Sequence, residues 1–135
     1  MGTRSLVAIQ KAQNIQSSYV HFDGYVTGVG GTILRHYNNT KGALHLAKLG
    51  YASSLCATIA ETFEHTVEHN RDVQPETLKD RAALLAYADN CNAEYVYLYD
   101  NGAWLVAEID GSGEEQFKSL LYAYAAIVAG EVLAV

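Results

Sequence analysis

Apolar residues fill both alternating sets of positions in Ser5 to Gln10, with Val7 and Ile9 on one side and Leu6 and Ala8 on the other. That pattern predicts a strand covered on both faces, central in its sheet. Lys11 to Ser18 is polar and reads as a connection, after which Tyr19 to Phe22 alternates as a second strand. Val20 and Phe22 then face one way, and Tyr19, His21 and Asp23 the other. This places an imidazole and a carboxylate on a shared face, roughly 6 to 7 Å apart along the strand. Gly24 marks the exit, and a helix beginning between Val26 and Gly30 is carried by Ile33, Leu34 and Tyr37 until Asn38-Asn39 stops it. A second helix runs from Thr40, its expected N-cap, to Leu49, with Gly50 where a left-handed residue is needed.

From Tyr51 to Asp72 the pattern is mixed: Ile59, Phe63 and Val67 among threonines favour a strand near Phe63 to His69, whereas Ala57 to Glu64 also suits a helix. Pro75 suits the first position of a helix through Leu78, Ala82, Leu85 and Ala88. Glu94 to Tyr99 and Ala103 to Ile109 flank Asp100-Asn101-Gly102, and Asn-Gly is the preferred pair for a two-residue type I′ hairpin turn. In that register Tyr99 opposes Trp104, Tyr97 opposes Val106 and Tyr95 opposes Glu108. One face carries Tyr95, Tyr97, Tyr99 and Trp104; the other carries Val96, Leu98, Leu105 and Ala107. The aliphatic face is assigned to the core. The aromatic one, with rings wanting apolar contact and hydroxyls wanting a partner, suits an interface or a pocket wall. Ser112 and Glu115 form a capping box that opens the last helix. Because that helix is apolar on more than one stripe, part of it is expected to be covered by a second subunit through Phe117, Leu121, Tyr124 and Val128.

These elements predict one α+β domain over residues 1–135: an antiparallel sheet of four or five strands, helices packed mainly on one face, and a C-terminal apolar helix. At 50% hydrophobic and 18% charged residues the composition is that of an ordered chain. Nine basic against fifteen acidic residues give a net charge of −6, which opposes general nucleic-acid binding and binding to anionic lipid surfaces. Cys56 and Cys91 have no Cys-x-x-Cys partner, so reduced thiols in a cytoplasmic protein are expected. The start of the chain has no signal-peptide pattern, and the run from Leu120 is shorter than the ~20 apolar residues that span a bilayer, so no membrane association is expected.

Gly24, Gly28, Gly30 and Gly31 invite a phosphate-loop reading, since freed backbone N–H groups cradle anions. No Lys-Ser/Thr ending follows them, and Ile33 stands where the dinucleotide fingerprint needs glycine. A tight strand-to-helix turn is the alternative. The candidate ligand set for a small anion is Arg4, His21, Asp23, Tyr25, Gly28, Gly30 and Thr32. His21 and Asp23 also suit an acid–base pair. His65-Thr66-Val67-Glu68-His69 has the inverted His-x-x-Glu-His order, but that motif needs a helix; no metal and no cofactor are assigned. No nucleophile sits on a recognisable elbow. The tyrosine face is either cross-strand aromatic pairing or a stacking wall for a base.

Thr3-Arg4-Ser5, His21-Phe22-Asp23-Gly24-Tyr25, Val29-Gly30, Leu34 and His36-Tyr37-Asn38 together resemble a family of small, largely uncharacterised bacteriophage proteins. Glu94 to Tyr99 followed by Trp104 extends the likeness to the hairpin. The family's central Tyr-His-Arg-Asp-Arg-Gly-Glu run is reduced here to Glu68-His69-Asn70-Arg71-Asp72. The resemblance implies phage origin and an accessory role in the host cytoplasm, and no reaction. The combined expectation is a non-catalytic, self-associating protein that works by binding. Its target is either a small nucleotide signal of host immunity, sequestered as counter-defence, or a host protein. A small nucleotide-processing enzyme using His21 and Asp23 is the third alternative.

Overall fold

The computed structural model describes residues 2–134; Met1 and Val135, the ends of the anticipated domain, lie outside them. Strand β1 (Ser5–Gln10) runs between β2 (Ile15–Val20), antiparallel to it, and β5 (Tyr95–Asp100), parallel to it. Beyond β2 lie β3 (Tyr51–Ala52), parallel to its end, and β4 (Glu76–Leu78), antiparallel to its start. Beyond β5 come β6 (Ala103–Glu108) and the short β7 (Lys118–Ser119), both antiparallel. The order is β3-β2-β1-β5-β6-β7, so the described residues form a mixed sheet of seven strands and not an antiparallel one of four or five. The parallel β1–β5 pair accounts for the difference. Parallel neighbours need a long crossover, and the helical excursion between β2 and β5 supplies it. β1 is central, with Leu6, Val7 and Ala8 fully buried.

The second strand starts four residues before the alternation suggests. Lys11 N–H closes a turn on the Asn14 carbonyl at 2.8 Å, and Ile15 to Val20 then pairs along the whole of β1. Ser17 and Ser18 conceal the strand in the sequence because they are polar yet buried. The Ser18 hydroxyl donates to the Ala47 carbonyl at 2.9 Å and accepts from Gly50 N–H at 2.8 Å, tying the sheet to the end of the second helix.

Helices cover both faces. On one, a π-helical turn (Val26–Gly30) runs straight into α1 (Gly31–His36), followed by α2 (Thr40–Lys48) and, at the chain's end, α5 (Leu120–Ala134). They close over Val7, Ile9, Val20, Tyr97, Tyr99, Trp104 and Val106. On the other, α4 (Arg81–Asn90) sets Leu84 and Ala88 on Leu6, Ala8, Ile15, Val96 and Leu98. The hairpin register is as anticipated, and Asn101 (φ 52°) and Gly102 (φ 83°) form its left-handed turn. Its aliphatic side is core as anticipated, with Val96 and Leu98 fully buried, but the aromatic side is no exposed wall. The aromatic face lies inside the larger core, and each buried polar end meets an oxygen from the helical layer. Tyr97 OH donates to the Gly24 carbonyl at 2.6 Å, Trp104 Nε1 donates to the Tyr37 carbonyl at 3.0 Å, and Tyr99 OH lies 3.2 Å from Thr40 Oγ1.

Phe63 to His69 is not a strand. Helix α3 (Ile59–His65) and a 3₁₀ turn (Glu68–Asn70) occupy it. Thr58 caps α3, and Thr62 and Thr66 return their hydroxyls to carbonyls one turn back at 2.8 Å, so these threonines serve a helix. They also accept Cys56 N–H and Ser53 N–H from the preceding loop. Pro75 opens no helix: β4 follows it, and α4 starts at Arg81, where the Asp80 carboxylate accepts Ala83 N–H at 2.9 Å. The cap of α2 is Asn39 and not Thr40. Ser112 and Glu115 fold a loop, with Glu115 accepting Asp110 and Gly111 N–H. β7 intervenes before α5, and there Ser119 Oγ accepts Tyr122 N–H at 3.2 Å. No helix among the described residues is long and apolar enough to cross a membrane.

Candidate functional site

Where β2 stops at Val20, His21 and Phe22 N–H still bond to the carbonyls of Ala52 and Ser53, and the chain then turns through Asp23 in a left-handed conformation (φ 59°). That residue redirects everything after it. The Asp23 carbonyl accepts Val29 N–H at 2.8 Å, closing the π turn back onto the loop. Gly28 sits so close to this carbonyl and to the Tyr25 ring that a Cβ would collide with both, so the turn requires glycine there. π-helical turns are rare and occur mostly as single-turn bulges within α-helices, frequently at functional sites.

The result is a polar cleft of about 170 Å³ between the Asp23 loop, the π turn and α1. Asp23, Tyr25, Thr27, Gly28, Thr32 and Arg35 line it, with Leu55 at its edge. Tyr25 OH reaches toward Asp23 Oδ1 at 3.4 Å, leaving its ring half-open to solvent. Arg35 lies one helical step beyond Thr32; its guanidinium runs along Gly31 and donates from Nη1 to Tyr124 OH at 3.4 Å. The cleft thus carries one acid, one base, three hydroxyls and an aromatic ring, a set that recognises polar ligands.

Of the seven residues anticipated as ligands, Asp23, Tyr25, Gly28 and Thr32 meet in this cleft. Gly30 does not, because it faces inward, where a Cβ would press on Leu120 and the Tyr97 ring. His21 and Arg4 belong elsewhere. His21 Nδ1 lies 3.0 Å from Tyr19 OH, and its ring sits against Phe22 and beside Tyr51. Arg4 stands beside Tyr19 and Cys91; burial pushes the Tyr19 phenol and the Cys91 thiol up, with the Arg4 guanidinium pulling the other way on both. The left-handed turn at Asp23 therefore parts the imidazole from the carboxylate, and the anticipated shared strand face does not form.

Among the described residues, no group of three His, Cys, Asp or Glu side chains is placed to hold a metal ion. His65 Nδ1 engages the Glu61 carbonyl at 2.8 Å on exposed α3, and His69 lies in the 3₁₀ turn. Of the four residues anticipated as an oligomer interface, Leu121, Tyr124 and Val128 recur at i, i+3 and i+7 on α5 and share one of its faces, whereas Phe117 precedes the helix. Phe117 is half-buried on the α4 side beneath the Arg81 guanidinium, and Tyr124 packs on the larger core. Leu121, 64% exposed, and half-buried Val128 stand seven residues apart on the same helix. Arg35 is the functional candidate absent from the sequence-based set; its spacing from Thr32 on one helix face was the available signal. No family model, curated protein or solved structure matches this chain.

Proposed function

We propose that this chain works by binding, and that its polar cleft takes the phosphate-bearing end of a small nucleotide. The carrying observation is the convergence of Asp23, Tyr25, Gly28 and Thr32 with Arg35 around one hollow. Arg35 and Thr32 suit phosphate oxygens, because a guanidinium offers paired donors to them. The Asp23 carboxylate suits a sugar hydroxyl or a base amine, and the half-open Tyr25 ring suits stacking. At about 170 Å³ the cleft is smaller than the ~300 Å³ at which whole-ligand pockets begin, so the base lies outside, over Tyr25. With the bacteriophage resemblance, this reads as an accessory protein that sequesters a nucleotide signal in the host cytoplasm.

A thermal-shift series with linear and cyclic nucleotides tests the reading. A ligand at 100 times its Kd adds about 2.7 kcal/mol to the folded state. Arg35→Ala, a change at an exposed side chain, is expected to weaken that ligand roughly tenfold or more, as loss of charge-assisted hydrogen bonds does. No shift with any nucleotide defeats the proposal.

A second reading rests on α5, where Leu121 and Tyr122 are 64% and 75% exposed on an almost wholly apolar helix. Apolar surface of that kind favours a protein partner, a second copy or a host protein. Light scattering on the purified chain and on Leu121→Lys tests self-association: a dimer dissolved by the substitution identifies it, and a monomer in both rules it out.

A further inference from the structure

A second hollow, of about 210 Å³, lies beneath α5 on the far side of the π turn from the polar cleft. Its floor is the sheet, where Tyr95 and Val106 present their side chains, and its walls are Val26 of the π turn and Ile127 of α5. It exists because α5 sets alanines, Ala123 and Ala126, where larger side chains would have filled the gap against β6. An apolar cavity of about 150 Å³ holds a benzene ring, so this one has room for an isobutyl or benzyl group with its attached carbons.

The rim is charged with both signs. Lys118 stands opposite Val106 in the β6–β7 register, and Glu108 stands opposite Tyr95 in the β5–β6 register. Glu108 is two residues from Val106 on the same face, so the two charges are diagonal neighbours, their Cβ atoms roughly 7 to 8 Å apart. They are not spent on each other, since the one ion pair among the described residues joins Arg81 and Asp100. Burial pushes the Tyr95 phenol up, and the Glu108 and Glu94 carboxylates push it further. Tyr95 therefore stays a neutral hydroxyl at the border between the charged rim and the apolar floor.

We infer that this cleft binds a free α-amino acid with an apolar side chain of leucine to phenylalanine size. The side chain enters beneath Ala126 against Val106 and Val26, the ammonium group meets Glu108, and the carboxylate meets Lys118. A purely hydrophobic guest gains nothing from the rim, and an anion or a cation alone leaves one rim charge unanswered. A zwitterion with an apolar tail satisfies all three. The inference is independent of the nucleotide reading, because none of these residues lines the polar cleft.

The test is calorimetric titration of the intact chain with L-phenylalanine, alongside 3-phenylpropionate, which lacks the ammonium group, and phenethylamine, which lacks the carboxylate. L-Phenylalanine is expected to bind, and each truncated analogue to bind roughly tenfold more weakly or worse, having lost a charge-assisted contact. Glu108→Gln and Lys118→Gln, both at exposed positions, are each expected to weaken L-phenylalanine by a similar factor. Ala126→Leu, filling the hollow from an exposed position, is expected to abolish binding while circular dichroism shows the fold intact. Should Ala126→Leu fail to fold, the two charge variants decide alone. Arg35→Ala is expected to leave L-phenylalanine binding unchanged, which separates this site from the polar cleft. Absence of binding at millimolar L-phenylalanine overturns the inference. So does binding that the charge variants and the truncated analogues leave unaltered.

Discussion

The aromatic rings of the β5–β6 hairpin and those at the end of β2 differ in what surrounds their polar atoms. Tyr97, Tyr99 and Trp104 are buried, and each reaches a different helical boundary: the approach to the π turn at Gly24, the end of α1 at Tyr37 and the first residue of α2 at Thr40. Tyr19, His21 and Tyr51 cluster at the mouth of the sheet, half-exposed, and bond within themselves. The first group fastens the helical layer to the sheet, and the second decorates an edge. Burial decides the energetics, because a hydroxyl removed from the interior leaves an acceptor that water cannot reach, whereas one removed at the edge is replaced by water.

The strongest test of that contrast is Tyr97→Ala, expected to cost about 3 to 5 kcal/mol in urea unfolding, as removal of a large core ring does. A loss no greater than that of a surface substitution would erase the distinction. Tyr97→Phe keeps the ring and strands the Gly24 carbonyl, with an expected cost of about 1 to 3 kcal/mol. A third, smaller effect is confined to alkaline solution. Burial, reinforced by the neighbouring Tyr95, pushes the Tyr97 phenol far above the ~10 of an unfolded tyrosine. The folded state thus holds its proton more tightly, so this stabilisation is complete below about pH 10 and is lost progressively as the pH rises above it. Unfolding free energies on the two sides of that value are expected to fall less in Tyr97→Phe than in the parent chain. Last, Tyr19→Phe at the edge is expected to change stability by no more than about 0.5 kcal/mol.

The same contrast explains what the sequence disclosed. The β5–β6 register was legible because Asn101-Gly102 admits few turns, and β1 because its apolar residues occupy both faces. β2 was half hidden: Ser17 and Ser18 are loop-like letters, and only the partners of Ser18, the Ala47 carbonyl and Gly50 N–H, which are far away in sequence, make a strand of them. α3 was misread for a related reason, since Thr62 and Thr66 have the β-branching of strand residues but turn their hydroxyls back onto the helix. That both sides of the hairpin are buried could not be read from alternation, because tyrosines suit a half-wet wall as well as a core and only the layers above each side decide: α4 covers the aliphatic one and the larger helical layer the aromatic one. For the candidate site, the glycines located the turn, but one left-handed residue, Asp23, separated His21 from the cleft and brought Arg35 to it instead. Local letters rarely announce such a reversal, because any of Asn, Asp and Gly adopts it readily.

The five-residue π turn is a partition with a hollow on each side: Val26 faces the apolar one, and Thr27 and Gly28 face the polar one. A guest that shifts this partition on one side alters the dimensions of the other. Thermodynamic reciprocity then requires that whatever factor an amino acid imposes on nucleotide affinity, the nucleotide imposes on the amino acid. Titrating the nucleotide at fixed L-phenylalanine measures that factor, and a value of one leaves the two hollows energetically separate.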